Sequence, residues 1–163
     1  MRAIIAAAIE DLCSAFSRHG YNPTPIIDLG ILVAMADGML DESERGMLRE
    51  IFQALLETSL SAEVVDHLIT SSLDVMRAAG AENRARLVGA ILQDCDAVEP
   101  GILVALGVAF ASEGLSAAER TVVDRIAKAA GMPIPRLNEL IENARPKVDA
   151  DPVSVRRSLA PGA

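Results

Sequence analysis

Apolar positions along this chain recur at the three-to-four-residue spacing of a helical face, while the runs of Val, Ile, Thr and aromatics that mark strands are nearly absent. Over residues 2–18, Ile5, Ala8, Ile9, Leu12 and Phe16 form one stripe, with Glu10, Asp11, Ser14 and Arg18 facing out. His19-Gly20 ends that helix, and Asn22-Pro23-Thr24-Pro25 makes a rigid turn. Residues 25–37 and 100–112 are apolar nearly all round, with Asp28 the main exception in the first, which places both segments in the middle of a bundle. Gly30 and Ala34, one turn apart, leave room for a neighbouring backbone.

The remaining helices are amphipathic. The third starts at Asp41 and buries Leu48, Ile51, Phe52 and Leu55; the fourth, 61–79, turns Val65, Leu68, Ile69, Ser72 and Met76 inward. The fifth, 82–96, relies on Leu87, Val88, Ile91, Leu92 and Cys95. The seventh opens at Ser116 and buries Val122, Val123, Ile126 and Ala130; a short eighth carries Leu137, Leu140 and Ile141. Gly38, Gly80, Gly114 and Gly131 punctuate the pattern. Asp41 with Glu44, and Ser116 with Glu119, have capping-box spacing.

Residues 30–56, GILVAMADGMLDESERGMLREIFQALL, are echoed by 105–130. At an offset of 75, Val33, Ala34, Ala36, Leu40, Glu44, Arg45 and Ile51 meet identical Val108, Ala109, Ala111, Leu115, Glu119, Arg120 and Ile126. The pattern predicts an all-α protein: a single compact bundle of seven to eight helices, residues 1–145, built on two helix–acidic turn–helix pseudo-repeats. The few residues between the second and third helices make them an antiparallel hairpin. Residues 146–163 hold three prolines and no sustained apolar stripe, and are expected to be a mostly disordered tail with at most a helical turn around 153–158.

Composition refines this picture. Hydrophobic residues make up 51% of the chain and aromatics 2%, so the core is aliphatic. A formal net charge of −8 argues against nucleic-acid binding and favours solubility, cations or a basic partner. Cys13 and Cys95 are too far apart for a CxxC motif and read as small core hydrophobes. Glu10 and Asp11 cut short the apolar start, and the run 101–112 is too short to span a bilayer. These features predict a cytoplasmic protein that is not itself transmembrane, and they leave its oligomeric state open.

Candidate chemistry concentrates at the first acidic turn, where Asp37, Asp41, Glu42 and Glu44 fall within eight residues. Asp41, Glu42 and Glu44 sit at a helix N-terminus, which favours them; Asp37 sits at a helix C-terminus, which does not. In one reading Asp37 folds over Gly38 and accepts hydrogen bonds from turn amides. In the other, Asp37, Asp41 and Glu44 converge with a turn carbonyl on a divalent cation such as Mg²⁺, Ca²⁺ or Zn²⁺. The second turn, with Ser112, Glu113, Gly114, Ser116 and Glu119, is a diluted copy whose Glu113 and Glu119 would make a weaker site. Asp94, Asp96 and Glu99 read as a helix end and cap, and His19 and His67 lack partners at metal-ligand spacing. No serine elbow, glycine-rich phosphate loop or Cys-His pair is present, so no catalytic residue or organic cofactor is assigned and the chain reads as a non-enzyme.

The phrases LVAMADGMLDESERGMLREI and LGVAFASEGLSAAERTVVDRIAKAAG resemble the repeated core of the tellurite-resistance TerB-like family, over about residues 25–143. The resemblance implies a compact helical bundle with an acidic, metal-associated surface carried by Asp37, Gly38 and Glu44, a role in tellurite or other stress responses, and work near membrane-associated partners. One group in that family precedes a J-domain, but this chain has no His-Pro-Asp tripeptide. Ser112 departs from the acidic residue expected in the second copy. The function expected is a non-enzymatic cytoplasmic module that binds a divalent cation at the Asp-Gly turn and docks a protein partner. The alternative is a pure interaction scaffold whose acidic turns only cap helices.

Overall fold

The structure is a computed structural model describing residues 2–56, 60–112 and 114–145. Among the described residues it is all-α, with eight helices: α1 (Arg2–His19), α2 (Thr24–Ala34), α3 (Glu42–Leu56), α4 (Ala62–Ala79), α5 (Ala81–Asp94), α6 (Val98–Ala109), α7 (Ala117–Ala129) and α8 (Ile134–Ala144). The tail expected to be disordered and the carboxylate of Glu113 lie outside the described residues.

The two helices without a polar face take the centre. α2 touches α3, α4, α5, α6 and α7, and α6 touches α1, α2, α3, α5, α7 and α8. Ile26, Leu29, Ile31 and Val33 of α2 and Ile102, Val104, Leu106 and Val108 of α6 are fully buried. The amphipathic helices surround them, each turning one stripe inward, and the core is aliphatic apart from Phe16, Phe52 and Phe110.

Helix starts follow the sequence closely. Ser61 accepts from the Val64 amide, and Ser116 and Glu119 form a complete capping box. Asp41 and Glu44 form another: the Glu44 amide donates to Asp41 Oδ1 at 2.8 Å, and the Asp41 amide donates to Glu44 Oε2 at 2.9 Å.

Several expectations are corrected by packing. α2 ends at Ala34 rather than Asp37, and the chain continues through turns. Leu87 is exposed; α5 instead buries Ala85, Val88, Gly89 and Leu92. In α4, Leu73 is buried while Leu68 and Ser72 are only partly so. Leu55 and Val122 pack at the edge of the core. The approach at Gly30 is by side chains, of Leu48, Ile51 and Val108; the close backbone approach is at Gly89, facing α7. Single-helix periodicity cannot anticipate which of two adjacent apolar residues a neighbour covers.

Asp28, the polar residue of α2, is 6% exposed and paired with Arg84 of α5, whose Nε lacks a hydrogen-bond partner. Burial pushes the Asp28 carboxyl up more strongly than Arg84 pulls it down. Pairing rather than solvent therefore makes its place in a buried helix tolerable.

Candidate functional site

Each acidic turn is built by a glycine with positive φ, Gly38 at 86° and Gly114 at 114°, a conformation that a side chain would strain. At the first turn Asp37 Oδ1 accepts from the Met39 amide at 2.9 Å. That bond is the local turn closure anticipated for Asp37, and it occupies one carboxylate oxygen. At the second turn the Ser116 amide donates to Glu119 Oε2 at 2.6 Å, and the Glu119 amide donates to Ser116 Oγ at 3.2 Å.

The two turns border a single cleft of about 310 Å³, lined by Asp37, Met39, Asp41 and Glu44 from one and Ser112, Gly114, Ser116 and Glu119 from the other. Bundle packing thus joins positions 75 residues apart in sequence, Glu44 and Glu119. Sequence reasoning treated them as a stronger and a weaker site, because nothing local in either segment signals that the turns meet.

The electrostatics of the cleft are unfavourable without a counter-charge. Glu44 and Glu119 are 6% and 4% exposed. Burial raises the Glu44 carboxyl to about 6; the Asp41 amide pulls the other way, and the charges of Asp41, Glu119 and Asp37 push it up further. Glu119 Oε1 is buried and has no hydrogen-bond partner. A buried, unpaired carboxylate oxygen is costly and marks a place where a water or cation gains most. Among the described residues, however, no three His, Cys, Asp or Glu side chains stand together as a ready metal-binding group.

A pH dependence follows. Because the folded-state value of Glu44 lies above the ordinary 4.5, the folded chain binds this proton more tightly than the unfolded chain. The associated stability is fully present below about 4.5 and is lost as pH rises through about 6. Urea unfolding should therefore give a larger drop in midpoint between pH 5 and pH 7 for the wild type than for Glu44→Gln, which keeps the capping acceptor without the charge. Equal drops would remove Glu44 from the account.

The other polar candidates separate from this cleft. Asp94 accepts from the Tyr21 hydroxyl at 2.9 Å, and Glu99 is held by Arg136 at 2.6 and 2.8 Å. Asp66, beside the exposed His67, pairs with Arg49 and Arg45. His19 Nδ1 lies 2.9 Å from the Ala15 carbonyl. Cys95 is a buried free thiol, and Cys13 is half-buried.

The family model for tellurite resistance protein TerB matches residues 24–140. The chain belongs to that family. No curated protein and no solved structure matched it. The TerB match runs from the start of α2 into α8 and contains both turns of the cleft, so the cleft belongs to the TerB domain while α1 lies wholly outside the match. The all-α architecture and the family are those expected from the Ala-Asp-Gly turn and the Glu-Arg helix start. Among the described residues no helix is long and apolar enough to cross a membrane.

Proposed function

We propose that this TerB-family chain is a non-enzymatic module that takes up a divalent cation in the cleft between its two turns and docks a protein partner, which can be membrane-associated, in a tellurite or stress response. The observation that carries the cation reading is the buried, unpartnered Oε1 of Glu119 in the same cleft as Glu44, Asp41 and Asp37. The described hydrogen bonds commit one oxygen of each of these four carboxylates to a backbone amide. A hydrated ion suits such a site. Mg²⁺ retains several waters and needs only one or two direct carboxylates, so it does not require a preformed group of three protein ligands.

The test is calorimetric titration of Mg²⁺, Ca²⁺, Mn²⁺ and Zn²⁺ into metal-stripped protein, beside Asp37→Asn and Glu119→Gln. Both variants keep an oxygen for the turn hydrogen bond and remove a charge. Saturable binding is expected in the wild type, weakened by about tenfold or more in each variant, as loss of a charged ligand contact worth over ~1.4 kcal/mol requires. It should also weaken from pH 7 to pH 5, as protons compete at Glu44. The second reading, a pure interaction scaffold, draws on the same amide hydrogen bonds: each carboxylate already serves as a cap or turn closure. Absence of binding to the wild type would establish that reading over the first.

A further inference from the structure

Two further clefts lie away from the acidic turns, on either side of α7. One, of about 550 Å³, is bordered by Glu82 and Arg86 of α5 and by Asp124, Arg125 and Lys128 of α7. Its neighbour, of about 490 Å³, lies between α7 and the start of α8 and includes the apolar Ala127, Met132, Ile134 and Leu137. Asp124 and Lys128 border both, so the two clefts form one continuous surface across α7.

Charge on this surface runs against that of the chain. Arg86 is satisfied by Glu82 at 2.7 Å, and Asp124 by Arg120 at 2.7 Å. Once those pairs are formed, Arg125 and Lys128 remain, and among the described residues neither has a hydrogen-bond or ion-pair partner. Arg125 is half-buried; the other half-buried arginines, Arg45, Arg49, Arg84, Arg120 and Arg136, each hold a carboxylate. In a chain of net charge −8, these two cations stand without a partner among the described residues, and Lys128 borders the apolar cleft. At its rim Ile134 is 70% exposed. Open, shallow-walled surfaces that pair a charged edge with an apolar pocket suit an amphipathic peptide segment better than an enclosed small molecule.

We propose that the α5–α7–α8 surface docks an acidic, amphipathic segment of a partner protein, with carboxylates on Arg125 and Lys128 and apolar side chains on Met132, Ile134 and Leu137. This deepens the partner-docking half of the proposed function and does not depend on the cation. Charge complementarity fixes the partner's sign and orientation, and the apolar cleft supplies the buried contact.

The experiment is NMR titration of the ¹⁵N-labelled full chain, metal-stripped and again with Mg²⁺, using a synthetic helical peptide of glutamate, alanine and leucine with the leucines on one face. Controls are the same peptide with lysine for glutamate, and inorganic phosphate. Amide shifts are expected in residues 82–86, 121–129 and 131–137, with the glutamate peptide only. The Arg125→Gln/Lys128→Gln variant should bind about tenfold more weakly, the scale of two charged contacts, and Ile134→Ser should weaken binding with the charges intact. Unchanged affinity in the charge variant overturns the proposal, as does absence of shifts. Equal shifts with phosphate would make this a small-anion site, and shifts that follow protein concentration alone would make the occupant a second copy; either outcome also overturns it. Peptide binding that fails while Mg²⁺ still binds sinks this inference and leaves the cation reading standing.

Discussion

Gly89→Ala is expected to destabilise the chain by about 1–2 kcal/mol, although alanine is the better helix former. The added Cβ would lie 2.6 Å from Ala129 Cβ, 2.8 Å from the Ile126 carbonyl oxygen and 3.0 Å from the Ala130 amide nitrogen. Two of those atoms are backbone, one in α7 and one at its C-cap, which no rotamer change can move aside, so α5 and α7 must separate. Overpacking of this kind costs about 1–3 kcal/mol or more, against about 1 kcal/mol gained from helix propensity. Gly30→Ala provides the contrast. There the nearest atom, at 2.7 Å, is Cδ2 of Leu48, the end of a flexible side chain, and the net change should stay within about 1 kcal/mol of zero. Urea unfolding of both variants checks the pair. Comparable stabilities would show that α7 gives way as readily as a leucine side chain.

Asp28→Ala is expected to cost about 3 kcal/mol or more, toward the lower end of the range for removing one member of a buried ion pair, because the Arg84 side chain retains 22% exposure. The loss arises because Arg84, its Nε already without a partner, would lose its carboxylate. Asp28→Leu/Arg84→Met should recover most of that stability or exceed the wild type, since burial outweighs the attraction of Arg84 in setting the Asp28 carboxyl. A double-mutant cycle by urea denaturation measures both effects. A double variant as unstable as Asp28→Ala alone would show that the pair contributes more than mutual neutralisation.

These two positions mark where local reading stops. Gly89 is one glycine in an amphipathic helix, and periodicity gave no reason to prefer it to Gly30 as a point of close backbone approach. Asp28 was legible as an anomaly, a carboxylate in an otherwise apolar helix. Its partner was not, because Arg84 lies 56 residues away and nothing local to either residue couples them. Leu87 shows the same limit: it shares a stripe with Ile91, yet no neighbouring helix covers it.

The candidate cleft divides in the same way. Asp41, Glu44, Ser116 and Glu119 could be recognised as capping residues from three-residue spacing, because a cap is a contact within one helical turn. Asp37 folding back over Gly38 was legible for the same reason. The meeting of the two turns in one cleft, the burial of Glu119 Oε1 and the raised carboxyl of Glu44 were not legible, since each depends on how segments far apart in sequence pack.

By itself, then, the sequence determined the helices, their caps and the central place of α2 and α6, which follow from short-range spacing and from the need of an all-apolar helix for cover on every side, while the family rested on the resemblance of its two repeated phrases. Tertiary structure alone decided which glycine admits a backbone, which arginine answers Asp28, that Arg125 pairs with no carboxylate among the described residues, and that two acidic turns share one cleft. Those outcomes rest on distances between helices distant in sequence, where packing geometry rather than local propensity sets the energy.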